Sequence, residues 1–217
     1  MRSKEIEKSK DLLKLDKKRR SILIGTVLGD AHLETQNRGR TYRLKIEHSI
    51  KQSTYVNWLY EQFREWVRTP PKSKFKYINS TKYENYGFQT LSTGQFRFYA
   101  KKFYDDSGRK VVPMQVGHWL TPLALAVWFM DDGSYKSKYH RAVILNTQGF
   151  GKKDINFLQN ALLIRYGLET SIRKQSDGLQ LMAVGIYAEQ FYKIVQPHVL
   201  PDFTYKFGPL VNNLPKE

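Results

Sequence analysis

The chain has 217 residues, with 36 Lys and Arg against 20 Asp and Glu, so its formal net charge is +16. Hydrophobic residues make up 41% of the chain and aromatic residues 14%, which is enough for a packed core and excludes a disordered tail protein. Because no cysteine is present, disulfides, thiolate zinc fingers, iron–sulfur clusters and thiol catalysis are excluded as well. The charge excess favours a polyanionic partner.

No segment has the composition of a membrane span or of a secretion signal. The longest apolar run, residues 123–130, is far shorter than the ~20 residues that a bilayer requires. The first 20 residues lack the apolar core of a signal peptide. We therefore expect an intracellular protein with no membrane partner.

The first half opens with a basic lead-in, residues 1–19, which is either a solvated helix or an arm along a nucleic-acid backbone. The apolar run of residues 21–33 then predicts a helix whose Gly25 and Gly29 share one face. Each glycine inside a helix costs ~1 kcal/mol relative to Ala. Two of them on one face indicate close approach by another backbone.

After this helix the spacing of the apolar residues changes from a helical period to a period of two. Residues 41–48 alternate strictly between polar and apolar side chains, which predicts a strand with one charged face. Residues 52–67 read as an amphipathic helix that ends before two consecutive prolines. Two strands and a helix complete the first half, at 73–79, 85–92 and 94–105.

The second half repeats this order, which indicates an internal duplication. An apolar helix over residues 120–133 again ends in aspartate, and Asp132 occupies the place that Asp30 has in the first half. A strand, a helix, two strands and a helix follow, at 140–148, 152–166, 169–175, 179–186 and 188–196. We predict repeat units at 20–110 and 120–217, joined by a linker at 111–119.

Aligned on their last acidic residue, the two apolar helices read LIGTVLGDA (23–31) and LAVWFMDDG (125–133), with a carboxylate at the eighth position of each. The helix dipole disfavours a carboxylate at a helix C-terminus by ~0.3–1 kcal/mol. A divalent, oxygen-liganded cation such as Mg²⁺ would offset that penalty. A single Asp-Gly or Gly-Asp pair is ordinary turn chemistry, whereas its repetition favours a metal site.

The two motifs differ at the positions that would pack helix on helix. The second motif has Val127 and Asp131 where the first has its two glycines. We therefore expect a looser or shifted contact that uses Ala124 and Ala126.

These nonapeptides, together with the stretches LTPLALAVWFMDDGSY and VILNTQ, resemble the LAGLIDADG homing endonucleases, specifically the single-chain, intron-encoded type with two motifs. The resemblance extends over residues 20–207. It implies an α+β fold of two pseudo-symmetric αββαββα units, each with an antiparallel DNA-binding sheet, joined through two packed motif helices. The implied activity is metal-dependent hydrolysis of both strands of a long, asymmetric DNA target.

The resemblance also assigns roles in catalysis. By position it makes Asp30 and Asp132 the metal ligands, with Asp131 ranked below Asp132. Two or more divalent ions, expected to be Mg²⁺, would be shared between these aspartates and would activate water. A basic residue near each scissile phosphate is typical of the family, and Lys110 and Lys206 match in position. Polar groups beside the catalytic waters are expected at equivalent strand positions, namely Glu47 and Asn146, with Gln148 a looser candidate.

DNA contacts are expected from the charged strand faces, since residues 36–46 contain four basic and no acidic residues. Arg and Lys can read guanine edges in the major groove, and the others hold phosphates. The five histidines show no metal-binding spacing and are interpreted as packing or surface residues. The predicted DNA-binding residues are Arg38, Arg40, Arg43, Lys45, Lys72, Lys74, Lys76, Lys136, Lys138, Arg141, Arg173 and Lys174.

Three functions remain open at this point. The first is a monomeric endonuclease located with the double-stranded DNA that it cleaves, in an organelle or the cytoplasm. The second is a maturase on the same scaffold, which would bind intron RNA. The third is a DNA-binding protein without catalysis. Retention of both acidic residues favours the first.

Overall fold

The protein, described by a computed structural model over residues 13–212, divides into two compact units. The first unit contains the described residues up to Leu23 together with Asp30–Lys101. The second contains Ile24–Gly29 and the described residues from Lys102 onward. Residues 1–12, which form most of the basic lead-in, and residues 213–217 lie outside the described part of the chain. The repeat boundaries given above stay a prediction.

Helix α1 (Lys17–Leu28) contains the first motif up to Leu28. Asp16 precedes the helix, and its carboxylate accepts a hydrogen bond of 2.7 Å from the backbone N–H of Arg19. Every residue from Ser21 to Gly29 is buried. From Ser21 onward the helix is buried on all sides, as expected of a helix inside a fold, whereas its basic first turn lies at the surface.

The first unit is built around a four-stranded antiparallel sheet. In strand β2, Leu44 and Ile46 are buried in the core, whereas Arg43, Lys45 and Glu47 between them lie on the opposite face. The strands lie in the order β1-β2-β4-β3, so β1 pairs with β2, β3 pairs with β4, and the pairing of β2 with β4 joins the two pairs. The elements are β1 (His32–Glu34), β2 (Arg43–Ser49), α2 (Ser53–Gln62), β3 (Lys72–Ile78), β4 (Thr81–Gln89) and α3 (Arg97–Phe103).

Strands β3 and β4 form a hairpin with a two-residue turn. Ile78 pairs with Thr81, and the turn residues Asn79 and Ser80 have φ values of 46° and 64°. Left-handed backbone at both positions matches the twist of a hairpin, and Asn adopts it readily. The predicted strands 73–79 and 85–92 left residues 80–84 between them, whereas the turn contains only two residues and β4 begins at Thr81.

The second unit repeats this sheet topology. Its antiparallel strands lie in the order β5-β6-β8-β7. In its core Phe129 stacks on Phe207, with ring centroids 4.6 Å apart, and meets the edge of Phe191. The elements are α4 (Val116–Trp119), α5 (Pro122–Asp132), β5 (Gly133–Ser137), β6 (His140–Asn146), α6 (Lys152–Tyr166), β7 (Ser171–Gln175), β8 (Gly178–Val184) and α7 (Ile186–Val195).

The end of the first motif packs closely on α5 within the second unit. A Cβ at Gly25 would lie 2.5 Å from the carbonyl oxygen of Ala124 and 2.7 Å from the Cβ of Val127. A Cβ at Gly29 would overlap the carboxylate of Asp131. Each glycine thus faces the larger residue at the same position of the other motif. The contact is therefore close rather than loose, because the glycines of one motif make room for the side chains of the other, and Ala124 takes part in it through its carbonyl oxygen.

We predict that Gly25→Ala destabilises the second unit by about 1–3 kcal/mol, because the added methyl group meets a backbone oxygen that cannot move alone. This loss should outweigh the ~1 kcal/mol by which Ala is the better helix former. Gly149→Ala is the control, since no atom lies within 4 Å of its added Cβ. Urea denaturation measures both variants, and equal midpoints would contradict close packing.

The predicted α+β class with antiparallel sheets is confirmed. Two strands were missed, β1 and β5, which directly follow the motif helices. β1 has only three residues, too few for alternation to be recognised. The helix predicted over residues 21–33 therefore ends earlier than expected, at Leu28. Within residues 13–212, no helix has the length and apolar character needed to cross a membrane.

Candidate functional site

Asp30 comes directly after the buried end of the first motif. Its side chain is 49% exposed, and its Oδ2 lies 3.4 Å from Nδ1 of His48 in the same unit. The His48 side chain is only 2% exposed, and its ring meets the edge of Tyr55 at 5.1 Å. The first motif therefore ends in an accessible carboxylate that is backed by a buried imidazole.

The second motif ends in two aspartates, Asp131 and Asp132, which are the last residues of α5. Both are partly buried. The carboxylate of Asp131 packs against Gly29, the residue that precedes Asp30 in the sequence. The end of α5 thus combines two negative side chains with the negative end of the helix dipole, an arrangement that a cation stabilises.

Lys110 and Lys206 donate to equivalent backbone positions of the two motifs. The Nζ of Lys110 donates to the carbonyl oxygen of Gly29 at 2.7 Å. The Nζ of Lys206 donates to the carbonyl oxygens of Met130 at 2.5 Å and of Asp131 at 3.0 Å. Gly29 and Asp131 are the seventh residues of their motifs. Each predicted lysine therefore places its charge at the C-terminal end of its own motif helix.

One face of the first sheet is rich in basic residues. Cross-strand pairing puts Arg43 and Lys45 of β2 on the same face as the three predicted lysines of β3, all of which are exposed. A concave surface on this face is lined by Arg43, Lys45, Lys72, Lys74 and also by Arg68, which was not predicted. The first sheet therefore presents a continuous cationic surface.

Glu34 and Glu47 lie on this same face and are bound by basic side chains. Burial alone would raise the pKa of Glu34, but hydrogen bonds from Arg43, His32 and Lys45 outweigh it and lower the pKa to about 2. Glu47 pairs with Lys76 and accepts a 2.9 Å hydrogen bond from Asn85. Its pKa is lowered too, since these bonds outweigh the effect of burial. Both carboxylates are thus ionised and orient the surrounding cations.

The second sheet presents a more polar face with fewer charges. Asn146 accepts a 2.7 Å hydrogen bond from Gln180, its partner on β8, and Arg173 of β7 pairs with Gln180 on the same face. Arg141 and Lys174 lie on the opposite face, where Arg141 is ion-paired with Glu189 of α7. Strict alternation therefore places these two residues away from the face that carries Asn146 and Arg173, and their assignment to DNA contact stays a prediction.

The other candidates lie in loops or at strand ends. Arg38 and Arg40 are exposed between β1 and β2, and Arg38 has a positive φ of 57°. Lys136 lies at an irregularity of β5, and Lys138 lies over the ring of Tyr139 in the following turn. Gln148 follows β6, and its Nε2 lies 3.4 Å from Asp177.

Sequence reasoning missed His48, which was interpreted as a packing residue along with the other histidines. It is buried, as that interpretation requires, but it faces Asp30. The sequence did contain an indication of this role. His48 is a titratable residue on the apolar side of an alternating strand whose other residues on that side are Leu44 and Ile46. A buried polar group needs a polar partner, and for the imidazole of His48 the carboxylate of Asp30 is one such partner.

Comparison with known proteins agrees with this geometry. The model of the LAGLIDADG DNA endonuclease family matches residues 20–194, and the chain belongs to this family. Probable intron-encoded endonuclease 1 of Wickerhamomyces canadensis is 29% identical over 197 residues, which cover 88% of this chain and 84% of that protein. The cytochrome b mRNA maturase bI2 of Saccharomyces cerevisiae is 26% identical over 200 residues, which cover 87% of this chain but 47% of the maturase.

Among solved structures, the homing endonuclease I-WcaI bound to its DNA recognition sequence superposes with a TM-score of 0.87. The two chains are 27% identical, and the match covers 93% of this chain and 91% of that one. The fold is therefore that of a single-chain homing endonuclease with two motifs.

Proposed function

We propose that the protein is a sequence-specific endonuclease that cuts both strands of a long, asymmetric DNA target with divalent metal ions. The observation that carries the proposal is the repetition of one arrangement. Each motif ends in an aspartate, is followed by a four-stranded sheet of the same strand order, and has a lysine donating to its seventh residue. Both motifs are in one chain, so we propose that it acts as a monomer.

The donor groups at the motif ends fit a hard divalent cation. Asp30 offers an accessible carboxylate, and Asp132 is the last residue of α5, where the helix dipole adds negative potential. We assign these two aspartates as the metal ligands and Mg²⁺ as the ion, with Asp131 in a lesser role. When bound, such an ion lowers the pKa of an attacking water and stabilises the leaving oxygen of the phosphodiester.

The two lysines supply fixed positive charge for the same step. Because the Nζ of Lys110 and of Lys206 is held by backbone carbonyl oxygens, neither charge needs to be positioned during the reaction. Pre-positioned charge stabilises the negative charge that develops on a phosphate in the transition state. Glu47 and Asn146, each hydrogen-bonded across its sheet, are assigned to orient the water molecules beside the phosphates.

The cationic face of the first sheet is the proposed DNA surface, together with Arg173 of the second sheet and the basic loop residues. Support comes from I-WcaI, which has this fold and is bound to its DNA recognition sequence. Glu34 would act here by fixing Arg43 and Lys45 in place, since ion pairs limit the freedom of long side chains.

Cleavage of plasmid DNA tests the proposal. Target sites are first selected from a randomised DNA library and then cloned. With Mg²⁺ the protein should convert the supercoiled plasmid to the linear form, and with EDTA it should leave the plasmid intact. Binding without cleavage in Mg²⁺ and in Mn²⁺ would contradict the enzymatic assignment and leave a DNA-binding protein.

Target affinity is predicted to depend strongly on salt, because a chain of net charge +16 displaces counterions from DNA. Six to ten phosphate contacts would weaken binding roughly 10³–10⁵-fold between 50 and 200 mM salt. Fluorescence anisotropy in Ca²⁺ at increasing KCl measures the slope, with Lys74→Ala expected to reduce it by about one. A flat titration would contradict binding through the basic sheet.

A role as a maturase is the second candidate, because a relative named as an mRNA maturase matches 87% of this chain. In that case the chain would bind the folded RNA of its own intron more tightly than unrelated RNA. Filter binding with both RNAs, together with a splicing assay, separates this function from cleavage. Equal affinity for the two RNAs would exclude it.

A further inference from the structure

His48 occupies a position where the fold gains little from an imidazole. It follows Leu44 and Ile46 on the core-facing side of β2, and an aliphatic side chain would continue their pattern. It is nevertheless held firmly, with a side-chain exposure of 2% and an edge-on contact with Tyr55. Its Nδ1 points to the carboxylate of Asp30, which reaches solvent.

The separation of the two groups suits joint coordination better than a hydrogen bond. Nδ1 of His48 lies 3.4 Å from Oδ2 of Asp30, beyond the usual N–H···O range of ~2.7–3.2 Å. Two adjacent ligand atoms that each lie ~2.0–2.2 Å from a shared divalent ion are ~3.0–3.4 Å apart. An ion can therefore bind both atoms with almost no movement of either side chain.

We propose that His48 is a direct nitrogen ligand, so that Nδ1 of His48 and Oδ2 of Asp30 together bind a first-row transition-metal dication in the first unit. The inference rests on the proposed function, in which Asp30 is a metal ligand, and it adds an imidazole to that set. Imidazole binds transition-metal ions well and is a poor ligand for Mg²⁺ and Ca²⁺. The site should therefore prefer Mn²⁺ to Mg²⁺ more strongly than a site of carboxylates alone.

Mn²⁺ is the probe, added to the full-length protein without DNA. Pulsed electron paramagnetic resonance detects a ¹⁴N nucleus bonded to Mn²⁺, and titration gives the affinity, with Mg²⁺ as competitor. Wild-type protein should show the ¹⁴N coupling. His48→Gln should lose it and bind Mn²⁺ at least about tenfold more weakly, with a smaller change for Mg²⁺. Asp30→Asn should weaken the binding of both ions.

His32→Gln is the matched control. His32 also lies beside a carboxylate, 2.9 Å from Glu34, but Arg43 and Lys45 already neutralise that group. This variant should keep the ¹⁴N coupling and the wild-type affinity. The comparison separates loss of one specific ligand from loss of any histidine near an acid.

The outcomes distinguish this inference from the proposed function. If wild-type protein binds Mn²⁺ through Asp30 but shows no ¹⁴N coupling, His48 is a packing residue and the inference is overturned, while the assignment of Asp30 stands. If Asp30→Asn leaves the affinity for Mn²⁺ unchanged, the metal assignment itself fails. If circular dichroism shows that His48→Gln does not fold, a wild-type spectrum without ¹⁴N coupling still overturns the inference, and coupling that persists in His32→Gln still supports it.

Discussion

Asp30→Asn and Asp132→Asn are each expected to abolish double-strand cleavage while leaving binding to the selected target largely intact. Asn keeps the size and one carbonyl oxygen of the side chain but removes the charge that holds a hard divalent cation. We expect binding to depend mainly on the basic sheet surface, which neither substitution touches. Cleavage is measured in Mg²⁺ and binding in Ca²⁺, with the same DNA.

Asp131→Asn serves as the neighbouring control, with a milder expected effect on cleavage. Asp131 is the seventh residue of its motif, and its carboxylate packs against Gly29. Removing a negative charge from the end of α5 should leave the free energy of unfolding unchanged or raise it by about 0.3–1 kcal/mol. If both eighth-position variants cut DNA normally, the metal assignment is wrong. If they unfold, the aspartates are structural.

Lys206→Met is expected to lower both cleavage and stability. The ammonium group is buried, with 8% of the residue exposed, and it satisfies the carbonyl oxygens of Met130 and Asp131. Leaving buried carbonyl groups without this donor should cost about 1–3 kcal/mol of unfolding free energy. Loss of a charge placed for the transition state should slow cleavage by roughly 10²–10³-fold.

Two further substitutions separate the effect on cleavage from the effect on stability. Lys110→Met should slow cleavage similarly but destabilise less, because Lys110, which donates to Gly29, is less buried than Lys206. Lys152→Met, at an exposed position of α6, should change neither quantity. Single-turnover rates and urea denaturation measure the two effects. Normal cleavage by both site variants would restrict the lysines to a role in capping the motif helices.

Much of the fold could be read from local pattern. Strict alternation over residues 41–48 predicted β2 and its charged face correctly, because burial on one side of a sheet imposes a period of two. The repeated order of elements predicted two related units, and the structure shows that their sheets have the same strand order. The three-residue strand β1 was missed, since pairing with β2, rather than any pattern of its own, makes it a strand. Strands this short are specified by their neighbours.

Some residues of the candidate site could be predicted from the sequence, and others could not. Asp30, Asp132, Lys110 and Lys206 followed from repeat position and family resemblance, and the structure gives the two lysines matching backbone partners. Arg141 and Lys174 could not be placed correctly from composition, because strand register decides which face a residue occupies, and a shift of one residue reverses it.

The sequence by itself determined that this chain is a basic, cysteine-free protein with two related motifs that each carry an aspartate at the eighth position, because composition and period are local properties of the chain. Only the tertiary structure decided that Gly25 and Gly29 pack against Val127 and Asp131, and that a buried histidine faces Asp30. These contacts join residues far apart in the chain. Their geometry depends on how helices and sheets pack, which no short pattern records.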